Sequence, residues 1–139
     1  MGVVVLLGRI LLSAIFIAAA PRHFSREGIA HAAALGVPLA AVLVPLSGLM
    51  ALAGGASLLL GYRAAWGAWL IVAFLVPVTL MMHAFWQFND PVAVHAQQAM
   101  FMKNVALLGA ALLVSQFGAG PLSLDARESR AASVALDTR

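Results

Sequence analysis

The sequence contains no cysteine, which excludes disulfides, thiolate metal sites and thiol redox chemistry. Any redox role would have to run through a bound cofactor or a partner. Charge is scarce as well: 9% of residues are charged and 63% are hydrophobic, with mean hydropathy +1.00. A soluble domain is typically about one-quarter charged, so too little charge is present here to cover a water-facing surface. The eight Lys and Arg are scattered rather than patched, which argues against a nucleic-acid partner. No nucleotide-binding loop and no paired carboxylates appear, which argues against an autonomous enzyme.

What the sequence has instead is long apolar runs. A bilayer core of about 30 Å needs roughly 20 apolar residues in a helix. Four stretches qualify, at about residues 2–20, 38–60, 64–86 and 99–117. Backbone in lipid must satisfy its own hydrogen bonds, so each run is expected to be helical. The fold class that follows is an all-α integral membrane four-helix bundle in a single domain, with a lipid bilayer as its first partner. The first run is read as a retained span. It lacks a basic lead-in, and proline would follow any cut in "IAAAPR".

The connections differ in kind. "GYR" at residues 61–63 reads as a tight hairpin with Gly61 as the helix cap. Residues 21–37, "PRHFSREGIAHAAALGV", are long enough for an interfacial helix. "FNDPVAVHAQQ" reads as a loop turning at Asn89-Asp90-Pro91. The tail, residues 126–139, is polar and is expected to be loosely ordered. An even number of spans puts both termini on one side, together with Arg9, Arg63, Arg127, Arg130 and Arg139. That bias places the termini in the cytoplasm of a bacterial inner membrane. His23, His31, His83 and His95 then all fall at the opposite, outward end.

There "TLMMHAFWQFNDP", residues 79–91, gathers polar groups at the end of an apolar run. With the spans bounded as above, His83 and Lys103 each sit about 5 Å below the membrane edge. Thr79, His83 and Trp86 share one helical face, and Gln97, Met100 and Asn104 share another. Burying a lysine, an imidazole and an amide there requires partners, for which Asp90 and Glu27 are the nearest acids. Plainer roles compete. Lys103 can snorkel to the headgroups and Trp86 can be a belt anchor, while His31 and His95 read as solvated loop residues. Met81, Met82, Met100 and Met102 could hold copper(I) but are also ordinary packing residues. At the other end Arg9 is expected to form a structural ion pair with Asp125. Ser47, Ala51 and Gly55 make a smooth helix face suited to packing within the bundle or between protomers.

"GRILLSAIF", "GVPLA", "LAGGASLLLGY", the histidine–aromatic end of the third span, "FMKNVALLGAALL" and "GAGPLSLD" occur in order. With that set the chain resembles the DoxX family of small bacterial membrane proteins, from Gly8 to Asp125. The resemblance implies a four-helix integral membrane fold. It aligns His83 with the family's third-helix histidine, Lys103 and Asn104 with its "KN" pair, Arg9 with its first-helix arginine and Asp125 with its "SLD" acid. Two positions depart: Met50 stands where many members have glutamate, and His23 where many have lysine. The resemblance also suggests a link to quinone-dependent redox assemblies.

The functional expectations are two. In the first, a redox-associated accessory subunit uses His83, Trp86, Lys103, Asn104, His23 and Asp90 to receive a quinone headgroup. In the second, a non-catalytic adaptor recruits a soluble redox enzyme through residues 21–37 and 87–98. Copper or haem bound by the histidines is a weaker reading, and a homo-oligomer is compatible with both.

Overall fold

The computed structural model describes residues 2–137; Arg139, counted above toward the basic terminal side, lies outside the described residues. Every regular element among them is helical. The order is α1 (Gly2–Ala19), a 3-10 turn (Ala20–Phe24), α2 (Arg26–Ala34), α3 (Ala40–Leu60), α4 (Ala64–Met82), a second 3-10 turn (Phe85–Gln87), α5 (Pro91–Phe117) and α6 (Leu124–Asp137). The segments containing α1, α3, α4 and α5 are each long and apolar enough to cross a membrane. The chain is a multi-pass membrane protein built as a helical bundle.

Helix ends follow local chemistry. Gly61 closes α3 in the left-handed region (φ 62°). Its N–H reaches Leu58 O at 3.2 Å and the N–H of Tyr62 reaches Ser57 O at 3.1 Å, the paired bonds of a Schellman cap. Ser25 caps α2, its Oγ accepting from the Gly28 N–H at 3.0 Å. The helix of the fourth span begins before its apolar stretch does. Asp90 is an N-cap, its carboxylate accepting from the Ala93 N–H at 2.8 Å, and Pro91 occupies the first helical position. That pairing starts a helix rather than a turn. At 27 residues, α5 is about 40 Å long. Its first two turns therefore extend past the apolar stretch that crosses the membrane. The tail expected to be loosely ordered is helical over Leu124–Asp137, with none of its residues buried.

The spans pack in chain order, α1 on α3, α3 on α4 and α4 on α5, while α2 and the first 3-10 turn lie against α3. The core centres on Phe16, Ala51, Leu58, Ile71, Phe74 and Leu75. A Cβ on Gly55 would meet Phe16 and Ile17 of α1. The face formed by Ala51 and Gly55 thus packs within the bundle.

The terminal end is laced shut by two charged side chains, Arg9 and Asp125, each of which hydrogen-bonds backbone. Arg9 is 3% exposed. Its Nη1 donates to Ala119 O at 2.6 Å, and its Nη2 donates to Leu122 O at 3.1 Å and Leu59 O at 3.3 Å. Asp125 accepts from the backbone N–H of Arg63 at 2.6 Å and of Ala64 at 3.0 Å. The Asp125 N–H returns to Gly61 O at 2.9 Å. Backbone groups at helix ends lack intrahelical partners; Arg9 supplies donors to three carbonyls and Asp125 an acceptor to two N–H groups.

Asp125 is thus the cap of α4 from outside the helix, holding Arg63 in an unfavourable left-handed conformation (φ 47°). Asp125→Ala is expected to destabilise the protein by roughly 1–3 kcal/mol, the range for a lost charged cap. Asp125→Asn, with one acceptor oxygen for two N–H groups, should fall between. Thermal midpoints of the purified variants check this order; an Ala variant as stable as the parent would refute it.

Candidate functional site

At the opposite end the first 3-10 turn, α2, α3 and α4 enclose a cavity of about 600 Å³. Pockets that hold small molecules run from roughly 300 to 1,000 Å³. Its polar lining is Arg22, His23, His31, Ser47 and His83; much of its wall is apolar, including Val44, Met50, Phe74, Pro77 and Val78. No carboxylate is among the lining residues. Met50, where the resemblance above leads one to expect glutamate, puts a thioether in this wall.

His23 is placed by tertiary packing. The 3-10 turn that follows α1 carries it across the face of α3 at Gly48, where it meets Ser47. Its Nδ1 is 2.9 Å from Ser47 Oγ, and that hydroxyl donates to Val44 O at 2.7 Å. The ring also leans on Phe74, with centroids 5.5 Å apart. His83 ends α4 as its C-cap, and its Nδ1 lies 2.8 Å from Gln97 Oε1 on α5. One edge of that ring is tied to α5 while the residue lines the cavity.

Pro77 has no N–H to offer the Ala73 carbonyl one turn earlier. That carbonyl is left without its ordinary helical donor, and both residues line the cavity.

The structure therefore separates the residues expected to form one rim. His23 and His83 are brought together in the cavity wall, and His31, read as a solvated loop residue, joins them at the end of α2. Lys103, Asn104, Trp86 and Asp90 are not lining residues. Asp90 caps α5. Trp86 stands 56% exposed in an aromatic group with Phe85 and Phe101 on the α5 side, the three centroids 5.1 to 5.9 Å apart.

Lys103 is exposed on α5 and lies about 9 Å further along the helix than Gln97, the partner of His83. The equal depth of His83 and Lys103 expected from the sequence does not hold. Asn104 is 4% exposed, and no hydrogen bond to its amide is found among the described residues. His95 is exposed on the early turns of α5.

Sequence reasoning missed Ser47, Arg22, Phe74 and the Pro77–Ala73 defect as parts of a site. Pro77, inside an apolar run, was the one signal available. Among the described residues, no three His, Cys, Asp or Glu gather as a metal ion would require.

A helical bundle crossing the membrane four times, with a histidine-lined cavity at one end, defines the class. The family model described as DoxX matches residues 4–84, more than half of the chain, and the chain belongs to the DoxX family. The matched stretch contains His23, Ser47 and His83, while Lys103, Asn104 and Asp125 lie beyond it. No curated protein and no solved structure matches the chain.

Proposed function

We propose that the cavity binds an amphipathic ligand of the quinone class and that the protein is a redox-associated accessory subunit of the bacterial inner membrane. The observation that carries this reading is the mixed lining of one cavity, where imidazoles, a guanidinium and a hydroxyl stand among aliphatic and aromatic surface. A polar ring on an isoprenoid tail calls on both kinds of surface.

In this reading the termini are cytoplasmic and the cavity faces outward. The first turns of α5, which carry the exposed Val92 and His95, meet a soluble redox enzyme. The exposed apolar face of α5 meets lipid or a second copy.

Mass spectrometry of mildly solubilised protein tests the ligand. The parent should retain about one quinone per chain, and His83→Ala and His23→Ala should each retain less than about a tenth of that, as expected when a binding hydrogen bond and its cavity wall are lost together. Lys103→Ala, altering a residue outside the cavity, should match the parent. Full retention by both histidine variants would reject the site.

A further inference from the structure

We propose that the cavity is an anion site set within the membrane layer, and that it takes an amphiphile whose head is an oxyanion, a phosphate or a carboxylate carried on an apolar chain. The inference does not rest on the quinone-class reading, because it concerns charge, which a quinone headgroup lacks. The two ligands would exclude each other from the one cavity.

Arg22 precedes His23 on the first 3-10 turn, and His23 meets α3 at Ser47 and Gly48. Ser47 lies about 10 Å along α3 from its first residue, Ala40. The turn therefore carries a guanidinium well below that end of the bundle, where it lines the cavity. Arg9, the cation at the other end, is served by three backbone carbonyls. The Arg22 side chain has no hydrogen bond or ion pair among the described residues.

A cation at membrane depth is costly unless something pairs with it, and the lining contains no carboxylate. Glu27 is exposed in the first turn of α2 and is not a lining residue. Asp90 is occupied as the cap of α5. The counter-charge is left for a ligand to bring.

The rest of the polar lining adds to the same sign. The His31 side chain also has no partner among the described residues, and an imidazole keeps at least one N–H in either tautomer. With Arg22 permanently charged, the lining is positive in every protonation state of His23, His31 and His83. A guanidinium fork matches two oxygens of a carboxylate or phosphate.

The apolar remainder of the lining indicates what carries the anion. Leu43 and Leu46 of α3 and Ala73 and Pro77 of α4 line the cavity and are also exposed. They stand on spanning helices, so the cavity is open toward lipid. On α4 the lining runs from Ala73 to His83, about 15 Å along the helix. A free oxyanion would leave that apolar wall uncovered, whereas an attached chain covers it.

The test is a calorimetric titration at neutral pH of the full-length protein in nanodiscs of zwitterionic lipid, with empty nanodiscs as the baseline. Three probes are compared: dodecyl phosphate, dodecanol, which has the chain without the charge, and inorganic phosphate, which has the charge without the chain. Dodecyl phosphate should bind at least about tenfold more tightly than either of the others. Arg22→Gln should bring it down to about the affinity of dodecanol. Arg26→Gln removes an equal charge from a residue outside the lining and should leave binding unchanged. Dodecyl phosphate that binds no more tightly than dodecanol would overturn the anion site. Inorganic phosphate binding as tightly as dodecyl phosphate would overturn the amphiphile. Equal losses in the two arginine variants would leave only the general attraction of a basic membrane surface, and the site would fall. Quinone retention, read separately by mass spectrometry, is decided by none of these results.

Discussion

Gly48→Ala is expected to lose at least about tenfold in affinity for the cavity ligand while the four spans remain folded. A Cβ placed on Gly48 would lie 2.6 Å from His23 Cβ and 3.0 Å from Phe24 Cζ. Carbon atoms in van der Waals contact stand about 3.5–4.0 Å apart, so the 3-10 turn must move outward. The contact is with a β-carbon, which cannot swing clear as the end of a long side chain can. Displacement of roughly 1 Å would take His23 Nδ1 outside hydrogen-bonding distance of Ser47 Oγ, now 2.9 Å away, since such bonds fade beyond about 3.2 Å.

The sign of the stability change separates this mechanism from a general helix effect. In a helix interior alanine is favoured over glycine by about 1 kcal/mol. At Gly8 and Gly109 nothing lies within 4 Å of an added Cβ, and Gly→Ala there should be neutral or stabilising. At Gly48 the same change should lower the thermal midpoint and weaken binding. Binding and stability of the three variants, measured side by side, decide the matter. A Gly48→Ala protein that binds as the parent does would show that the turn is not held where the cavity needs it.

The spans were legible because their signal is additive: a run of apolar residues long enough to cross a bilayer has few other uses. Gly61 was legible because a helix cap is local. The start of α5 was misread for a related reason, since apolarity alone was used to bound it. Asp90-Pro91 carries its own local signal, an N-cap followed by proline, and that signal moves the helix start eight residues earlier, from 99 to 91.

What separates Lys103 from His83 is the contact of His83 with Gln97, six residues earlier on α5. Chain-adjacent spans suggested a site between α4 and α5, whereas the cavity uses the other side of α4, toward α3, α2 and the first 3-10 turn. His23 meeting Ser47 depends on how α1 and α3 cross, and no spacing within either segment encodes that crossing. His83, at a helix end, touches both sides, which is why it survives from the sequence reading into the cavity.

Arg9→Met should be among the most damaging single substitutions in the chain. Methionine fills much of the same space but donates no hydrogen bond, so Ala119 O, Leu122 O and Leu59 O would lose the donor they share. A buried acceptor left unpaired costs roughly 1–3 kcal/mol. Leu59 lies in the last turn of α3, where exposed carbonyls also favour a positive charge by a further few tenths to 1 kcal/mol.

Against this stands the relief of no longer burying a guanidinium whose Nε has no hydrogen-bond partner among the described residues. Replacing a whole buried ion pair with apolar residues can be neutral, but removing one member while its partners remain is costly. Here the partners are backbone carbonyls that no substitution removes. The net loss expected is on the order of 3–5 kcal/mol, seen as a fall of about 10 °C or more in the thermal midpoint. Arg9→Lys, keeping the charge but offering one compact donor in place of a fork, should recover part of the loss. Because the cavity lies at the far end of the bundle, both variants that still fold should bind ligand with unchanged affinity at low temperature. A stable Arg9→Met protein would mean that water or lipid headgroups already serve those carbonyls, and the terminal end would not be closed by this residue at all.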